Sequence, residues 1–171
     1  MTEIPIEIDE TLPETVKGFL RKGYTLENIT LHEQGHWTHE GLFFENQKVI
    51  DLFSRSVART AGGTWVLDIP PFTYPIEVED VGFFVTHASV TGDAPSVTVT
   101  DGYTYPLDPS SIRYAGGGRL YCAIRDGDFE ARFLRSVYHG LADHMREQDG
   151  RIVLAVGGED VALSDMDDAP V

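Results

Sequence analysis

The sequence predicts an α+β fold built from two decayed hairpin-helix-hairpin repeats sharing one core, with a central antiparallel β segment and a short N-terminal helix. Three observations carry this expectation. Between Leu31 and Asp80 the apolar period runs from two to 3.6 and back to two, with turn residues at each change. A shorter version of the same succession returns between Leu120 and Asp165. Setting Gly35 on Gly127, Trp65 on Ile152 and Asp80 on Asp165 gives offsets of 92, 87 and 85, so the register drifts only as loops shorten. A chance succession of common elements is the alternative.

At 171 residues the chain suits one globular domain, 1–171. Repeat one covers about 29–80, a connecting β segment 81–118, and repeat two about 119–165. One repeat alone would bury too small a fraction of its surface, which is why a shared core is expected.

The first element is a short helix over Pro13–Lys22, with Thr11 and Glu14 as a capping box and Gly23 as its stop. Before it, Ile4, Ile6 and Ile8 alternate with polar residues, and this arm is left unassigned. Repeat one then reads as a hairpin (ITLH, EQG, HWTH) and a helix (VIDLFSRSVART). In that helix Val49, Ile50, Phe53 and Val57 form one stripe, and Gly62 and Gly63 end it. A second hairpin follows, with strands TWVLDI and PIEVED around the turn PPFTY.

The connecting segment holds strands at Phe83–Val90, Ser96–Thr100 and Tyr103–Leu107, the last two joined by the hairpin dipeptide Asp101-Gly102. Repeat two reads RLYCAIR, Asp126-Gly127, DFEARFL, a helix over SVYHGLADHMRE capped by Ser136, then IVLAV, Gly-Gly and EDVALSD. The acidic tail after Leu163 is expected to fray.

Thirteen Lys and Arg stand against 28 Asp and Glu, a formal charge of −15. With no basic stripe to neutralise phosphates, nucleic acid is excluded as a partner, and an anionic membrane surface would repel the chain. The lone Cys122 sits in a strand-like apolar run as a small buried hydrophobe, so no disulfide forms within the monomer. The N-terminus lacks the basic flank and apolar core of a signal peptide and no apolar run approaches membrane-spanning length, so the expected location is cytoplasmic.

His32-Glu33-Gln34-Gly35-His36 matches the H-E-x-x-H pattern, which binds zinc only when a helix puts both histidines on one face. Gly35 interrupts a period-two pattern here, so the segment is strand, turn and strand, and no metal or cofactor is expected. Gly116-Gly117-Gly118 lacks the lysine of a phosphate loop, and Ser110 and Ser111 lack the glycines of a nucleophile elbow.

On a strand, Trp37 and His39 share one face. His39 is either a structural histidine satisfied by a neighbour or an acid-base group whose partner is Asp80 or Glu79. Ile76 and Val78 are expected inward with Asp80, and Glu77 and Glu79 outward. Trp37, His39, Glu40, Trp65, Glu79 and Asp80 are therefore the candidate ligand-binding residues, with no catalytic residue assigned.

At these residues the chain resembles a bacterial family known as domain of unknown function 1285. The resemblance rests on Gly35, Trp37, His39 and Gly41, on Ile76-Glu77-Val78-Glu79-Asp80 with Phe83, on Asp101-Gly102 before Pro106-Leu107, and on Glu130-Ala131-Arg132 before Tyr138. It covers most of residues 26–165. The resemblance implies an α+β fold of two repeats without an established activity, and a role in signalling through a bound small ligand. Ser136 stands where relatives begin a helix with proline, and Thr73-Tyr74 where they carry a charged pair, so a ligand touching that pair would differ here.

The leading expectation is a non-enzymatic ligand-binding or signalling module, with a small molecule held in a pocket between the repeats. The alternatives are a hydrolase-like enzyme using His39 with Asp80 or Glu79, and a protein-interaction module using exposed sheet. Oligomeric state is not legible.

Overall fold

Residues 8–22 and 26–165 are described by the computed structural model of the chain. The N-terminal helix, α1 (Glu14–Arg21), forms where expected, but its start differs. Pro13 is its N-cap and no side chain caps it. Thr11 instead donates its hydroxyl to Asp9 and accepts the Gly62 N–H at 2.8 Å, so the predicted capping box is not made. Gly23, Ile4 and Ile6 lie outside the described residues.

The predicted hairpin is β1 (Ile29–Leu31) and β2 (Trp37–His39), antiparallel, with Leu31 opposite Trp37, Thr30 opposite Thr38 and Ile29 opposite His39. His32 and His36 close it, the His32 N–H donating to the His36 carbonyl at 2.8 Å, so the segment between them is a turn and not a helix. A further tight turn follows at Glu40-Gly41, both left-handed (φ 48° and 81°), and returns the chain as β3 (Leu42–Phe43). Two consecutive positive φ values define the type I′ hairpin, which Gly41 tolerates freely and Glu40 only with strain.

Asn46 caps α2 (Gln47–Ser56), its side chain accepting the N–H groups of Lys48 and Val49. The predicted stripe forms only in part: Phe53 meets the edges of Trp37 and Phe44, with ring centroids 5.6 and 5.2 Å apart, whereas Val57 lies outside the helix. The helix stops at Ser56 instead of continuing to Thr60. Val57–Arg59 is β4, paired with β5 (Trp65–Ile69), so Gly62 and Gly63 turn a hairpin and do not end a helix. The Asp9 carboxylate explains the switch, because it accepts the Thr60 and Thr64 hydroxyls at 2.5 and 2.6 Å and ties both ends of that turn.

The second predicted hairpin also differs. The chain reverses at Pro70-Pro71, and β6 (Phe72–Pro75) is the partner of β5. Glu77–Val78, β7, leaves that meander and pairs parallel with β1. The first unit thus has two sheets, ordered β3-β2-β1-β7 and β4-β5-β6.

In the second unit the connecting strands form as predicted: β8 (Phe83–Ser89), β9 (Ser96–Val99) and β10 (Thr104–Pro106), with the hairpin turn at Asp101-Gly102. Next come β11 (Arg113–Tyr114), β12 (Leu120–Ile124) and β13 (Phe129–Phe133). They make one sheet ordered β10-β9-β8-β13-β12-β11, in which β8 and β13 run parallel. Phe83, Phe84 and Val85 are almost wholly buried, as a central strand covered on both faces requires.

The last helix is shorter than predicted. α3 spans only Arg135–Gly140, Leu134 and not Ser136 is its N-cap, and a single 3-10 turn (Ala142–His144) leads into β14 (Met145–Gln148). Gly140 weakens the helix, and Met145–Gln148 gains a full ladder with β15 (Arg151–Val156) instead. β16 (Glu159–Asp165) completes this three-stranded meander and runs past Leu163, where fraying was expected.

The fold is mixed α+β, in two compact units, Met1–Asp80 and Val81–Val171. Both contain a hairpin, a helix and a three-stranded meander in that order, although the helices have 10 and 6 residues. Among the described residues no helix is long and apolar enough to cross a membrane.

Candidate functional site: a polar sheet face on the first unit

Alternation along β1 and β2 separates two faces. Leu31 and Trp37, both buried, point with Phe53 into the core of the first unit. Thr30, His32 and Thr38 point the other way, and β7 adds Glu77 opposite Thr30, with Glu79 two residues on. The second face is therefore polar along β1, β2 and β7, with Phe43 of β3 beside Thr38 at its edge.

Its hydrogen bonds form a chain. Nε2 of His32 lies 2.7 Å from the Thr38 hydroxyl, and Nδ1 lies 2.8 Å from Oε1 of Glu79. Oε2 of Glu79 accepts the Glu33 N–H at 2.9 Å, and the Glu79 N–H donates to the Leu31 carbonyl at 3.0 Å. The Glu33 N–H, and after it the His32 ring, hold the Glu79 carboxyl below the usual carboxylate range. Thr30 donates to Asn28 Oδ1 at 2.6 Å. Thr38 is buried, whereas the His32 side chain is 32% exposed and that of Glu79 44%.

Hydroxyl, imidazole and carboxylate in this order are the parts of an activated nucleophile. Two facts oppose that use. The Thr38 hydroxyl is shut away from solvent. Its backbone is also committed: the hydrogen-bonded positions at His32/His36 and Asn28/Glu40 make Thr30/Thr38 the hydrogen-bonded pair between them, so the Thr38 N–H cannot serve an oxyanion. The arrangement suits orientation and proton holding at His32 better than acyl transfer.

The candidate residues named from sequence do not converge. Trp37 is a core side chain whose indole N–H donates to Ser54 at 3.2 Å. His39 meets neither Asp80 nor Glu79; its Nε2 lies 2.9 Å from Glu27 Oε2. Glu40, exposed at the hairpin turn, accepts the Asn28 N–H at 2.5 Å. Trp65 stands on the other sheet, half-buried, with the Arg59 guanidinium 5.3 Å above its ring. Glu79 belongs to the polar face, and Asp80, expected inward, is exposed. The hydrolase-like pairing of His39 with Asp80 or Glu79 is thus replaced by two separate pairs, His32 with Glu79 and His39 with Glu27.

Thr30, Thr38 and the role of His32 were missed. The signal was present, because the hairpin register that rejects a zinc helix also puts His32 beside Thr38. Tyr74 donates to the Glu27 carbonyl at 2.7 Å. Among the described residues no group of three or more His, Cys, Asp or Glu is suited to a metal ion.

The fold places the chain among mixed α+β proteins with a small polar-faced sheet. Two solved structures are similar to it. One is a DUF1285 family protein from Silicibacter pomeroyi DSS-3, 21% identical, with a TM-score of 0.63 over 82% of this chain and 81% of that one. The other is a DUF1285 family protein from Shewanella baltica OS155, 16% identical, with a TM-score of 0.52 over 69% of this chain and 92% of that one. These likenesses show that the chain has the fold of DUF1285 family proteins. No family model and no curated protein matches the chain.

Proposed function

We propose that the chain is a cytoplasmic, non-enzymatic ligand-binding or signalling module of the DUF1285 family, and that the face formed by Thr30, His32, Thr38, Glu77 and Glu79 receives a small molecule. The observation that carries this reading is the chain from Thr38 through His32 to Glu79. It holds a partly exposed imidazole in one orientation, beside carboxylates that can accept hydrogen bonds from a ligand. A ligand carrying N–H or ammonium donors matches such a face, whereas nucleic acid is disfavoured by the charge of −15. The recurring order of hairpin, helix and meander supports descent from a duplication, and the buried Cys122 needs no oxidising compartment.

Of the residues named from sequence, Glu79 belongs to this site and Asp80 directly follows it. Trp37 supports it from the opposite side of β2. His39, Glu40 and Trp65 are assigned no contact in it.

Native mass spectrometry of the purified chain tests the reading, together with thermal shifts against a panel of amines, amino acids and guanidines. A bound mass or a thermal shift kept by His39→Gln and lost in His32→Gln supports it. The absence of both in the wild-type chain overturns it. Turnover abolished by Thr38→Val would instead establish an enzyme using the same three groups.

A further inference from the structure

The third strand of the first sheet presents an open edge. Among the described residues β3 has one neighbour, β2, and its two side chains are the large apolar Leu42 and Phe43, 74% and 67% exposed. The Phe44 N–H donates to the Trp37 carbonyl at 3.2 Å, so Trp37/Phe44 is a hydrogen-bonded position and Phe43, one residue earlier, is not. The Phe43 N–H and C=O therefore point outward along the sheet edge. Leu42 and Phe43 stand on opposite faces, as an added strand would need for gripping both its sides.

Sheet edges of this kind are usually blunted by lysine or proline. Here the reverse holds: from Leu26 to Gln47 there is no Lys or Arg, and the acidic residues are Glu27, Glu33, Glu40 and Glu45. Glu40 and Glu45 bracket β3, and both are exposed. Two copies of a chain carrying −15 repel one another, and their β3 edges would bring these carboxylates together. A cationic strand meets the opposite situation on every count.

We propose that β3 is a docking edge for an extended basic segment of a partner protein, in which apolar residues alternate with Lys or Arg. Its backbone extends the sheet at Phe43. Its apolar residues cover Leu42 and Phe43, and its cations face Glu40 and Glu45. Phe43 stands opposite Thr38 and so borders the His32 face, whereas Leu42, opposite His39, stands on the other face; the docking edge itself uses no group of the Thr38–His32–Glu79 chain.

A short end-capped peptide of alternating lysine and valine, its glutamate-valine counterpart, and a proline-interrupted peptide with the same charge are the probes. Binding is followed by fluorescence anisotropy, and amide exchange maps the contact. Expected are binding of the lysine-valine peptide alone, slowed exchange at the Phe43 amide, and weakening by about tenfold or more in the Leu42→Ser/Phe43→Ser double variant. Glu40→Gln/Glu45→Gln should weaken binding and flatten its salt dependence. Both side chains of the apolar pair are exposed, so an unchanged melting temperature shows that the double variant is folded. Equal binding by the double variant, equal binding of the proline-interrupted peptide, or no binding overturns the proposal. So does a concentration-dependent dimer in sedimentation that Phe43→Ser abolishes, since the occupant would then be a second copy.

Discussion

Thr38 and His32 face each other across neighbouring strands, hydroxyl to Nε2 at 2.7 Å, although the sequence around His32 resembles a zinc motif. Thr38 is 4% exposed, so its hydroxyl has no solvent to fall back on. Thr38→Val should cost about 1–3 kcal/mol, since it leaves a ring nitrogen without its buried partner, and Thr38→Ser should cost less. Urea denaturation of the three proteins measures this, and equal stability of Val and Ser variants would contradict it.

Glu79 makes stability pH-dependent on the acid side. Its folded carboxyl is held below the ordinary value of 4.5 by the Glu33 N–H first and by His32 second. A depressed carboxylate stabilises the fold above its unfolded pKa and loses that contribution as pH falls through the folded value. Glu79→Gln should therefore narrow its gap from the wild type as pH drops below 4.5, measured by melting temperature across that range.

Gly62 leaves room for Asp9. A Cβ built at Gly62 would stand 1.9 Å from Asp9 Oδ1, so Gly62→Ala must displace the carboxylate that holds the Thr60–Thr64 turn. The melting temperature should fall by about 4 °C or more. In an Asp9→Ala background the same change should cost much less, and the double-mutant cycle reads that difference.

Cys122 should be inert in the native protein. Burial, and less strongly Glu130, push its thiol up to about 12, so little thiolate forms near neutral pH. Ellman's reagent should label it only after denaturation, and rapid native labelling would contradict this.

Asp101 is buried, with its side chain 1% exposed, and accepts both the Tyr105 hydroxyl and Arg125 Nη2, the latter at 3.0 Å. Arg125→Met removes the cation and leaves that carboxylate with a weaker partner set, at an expected cost of about 3 kcal/mol. Asp101→Asn/Arg125→Met should recover part of it. Chemical denaturation of the single and double variants measures the coupling.

Pairing read from local period survived best. The ITLH–HWTH hairpin, the Asp101-Gly102 turn and the β12–β13 pair were legible because alternation and turn chemistry lie within a few residues of each other. The helix ends were not, since Val57–Arg59 and Met145–Gln148 carry helical spacing yet gain ladder bonds from strands further along the chain. The parallel pairings of β7 with β1 and β13 with β8 leave no periodic trace at all.

At the candidate site, the sequence pointed to His39, whereas the structure pairs His32 with Glu79 and His39 with Glu27. His39 drew notice by standing beside Trp37, but its carboxylate partner, Glu27, lies in an irregular segment that no pattern flags. His32 was set aside along with the zinc reading. Its partner Glu79 is 47 residues away in the chain, and only the crossover to β7 brings them together.

Those two parallel pairings also set the order in which the chain can fold. Parallel strands cannot be joined by a tight turn, so β1 waits for β7 and β8 waits for β13, and each wait requires closing a long loop before any ladder bond repays it. On the ribosome, the edge of β1 stays open until Glu77 and Val78 have emerged. The His32–Glu79 contact therefore comes into being only as the first unit closes, and pulse-labelled exchange should find the Glu79 amide among the last to be protected there.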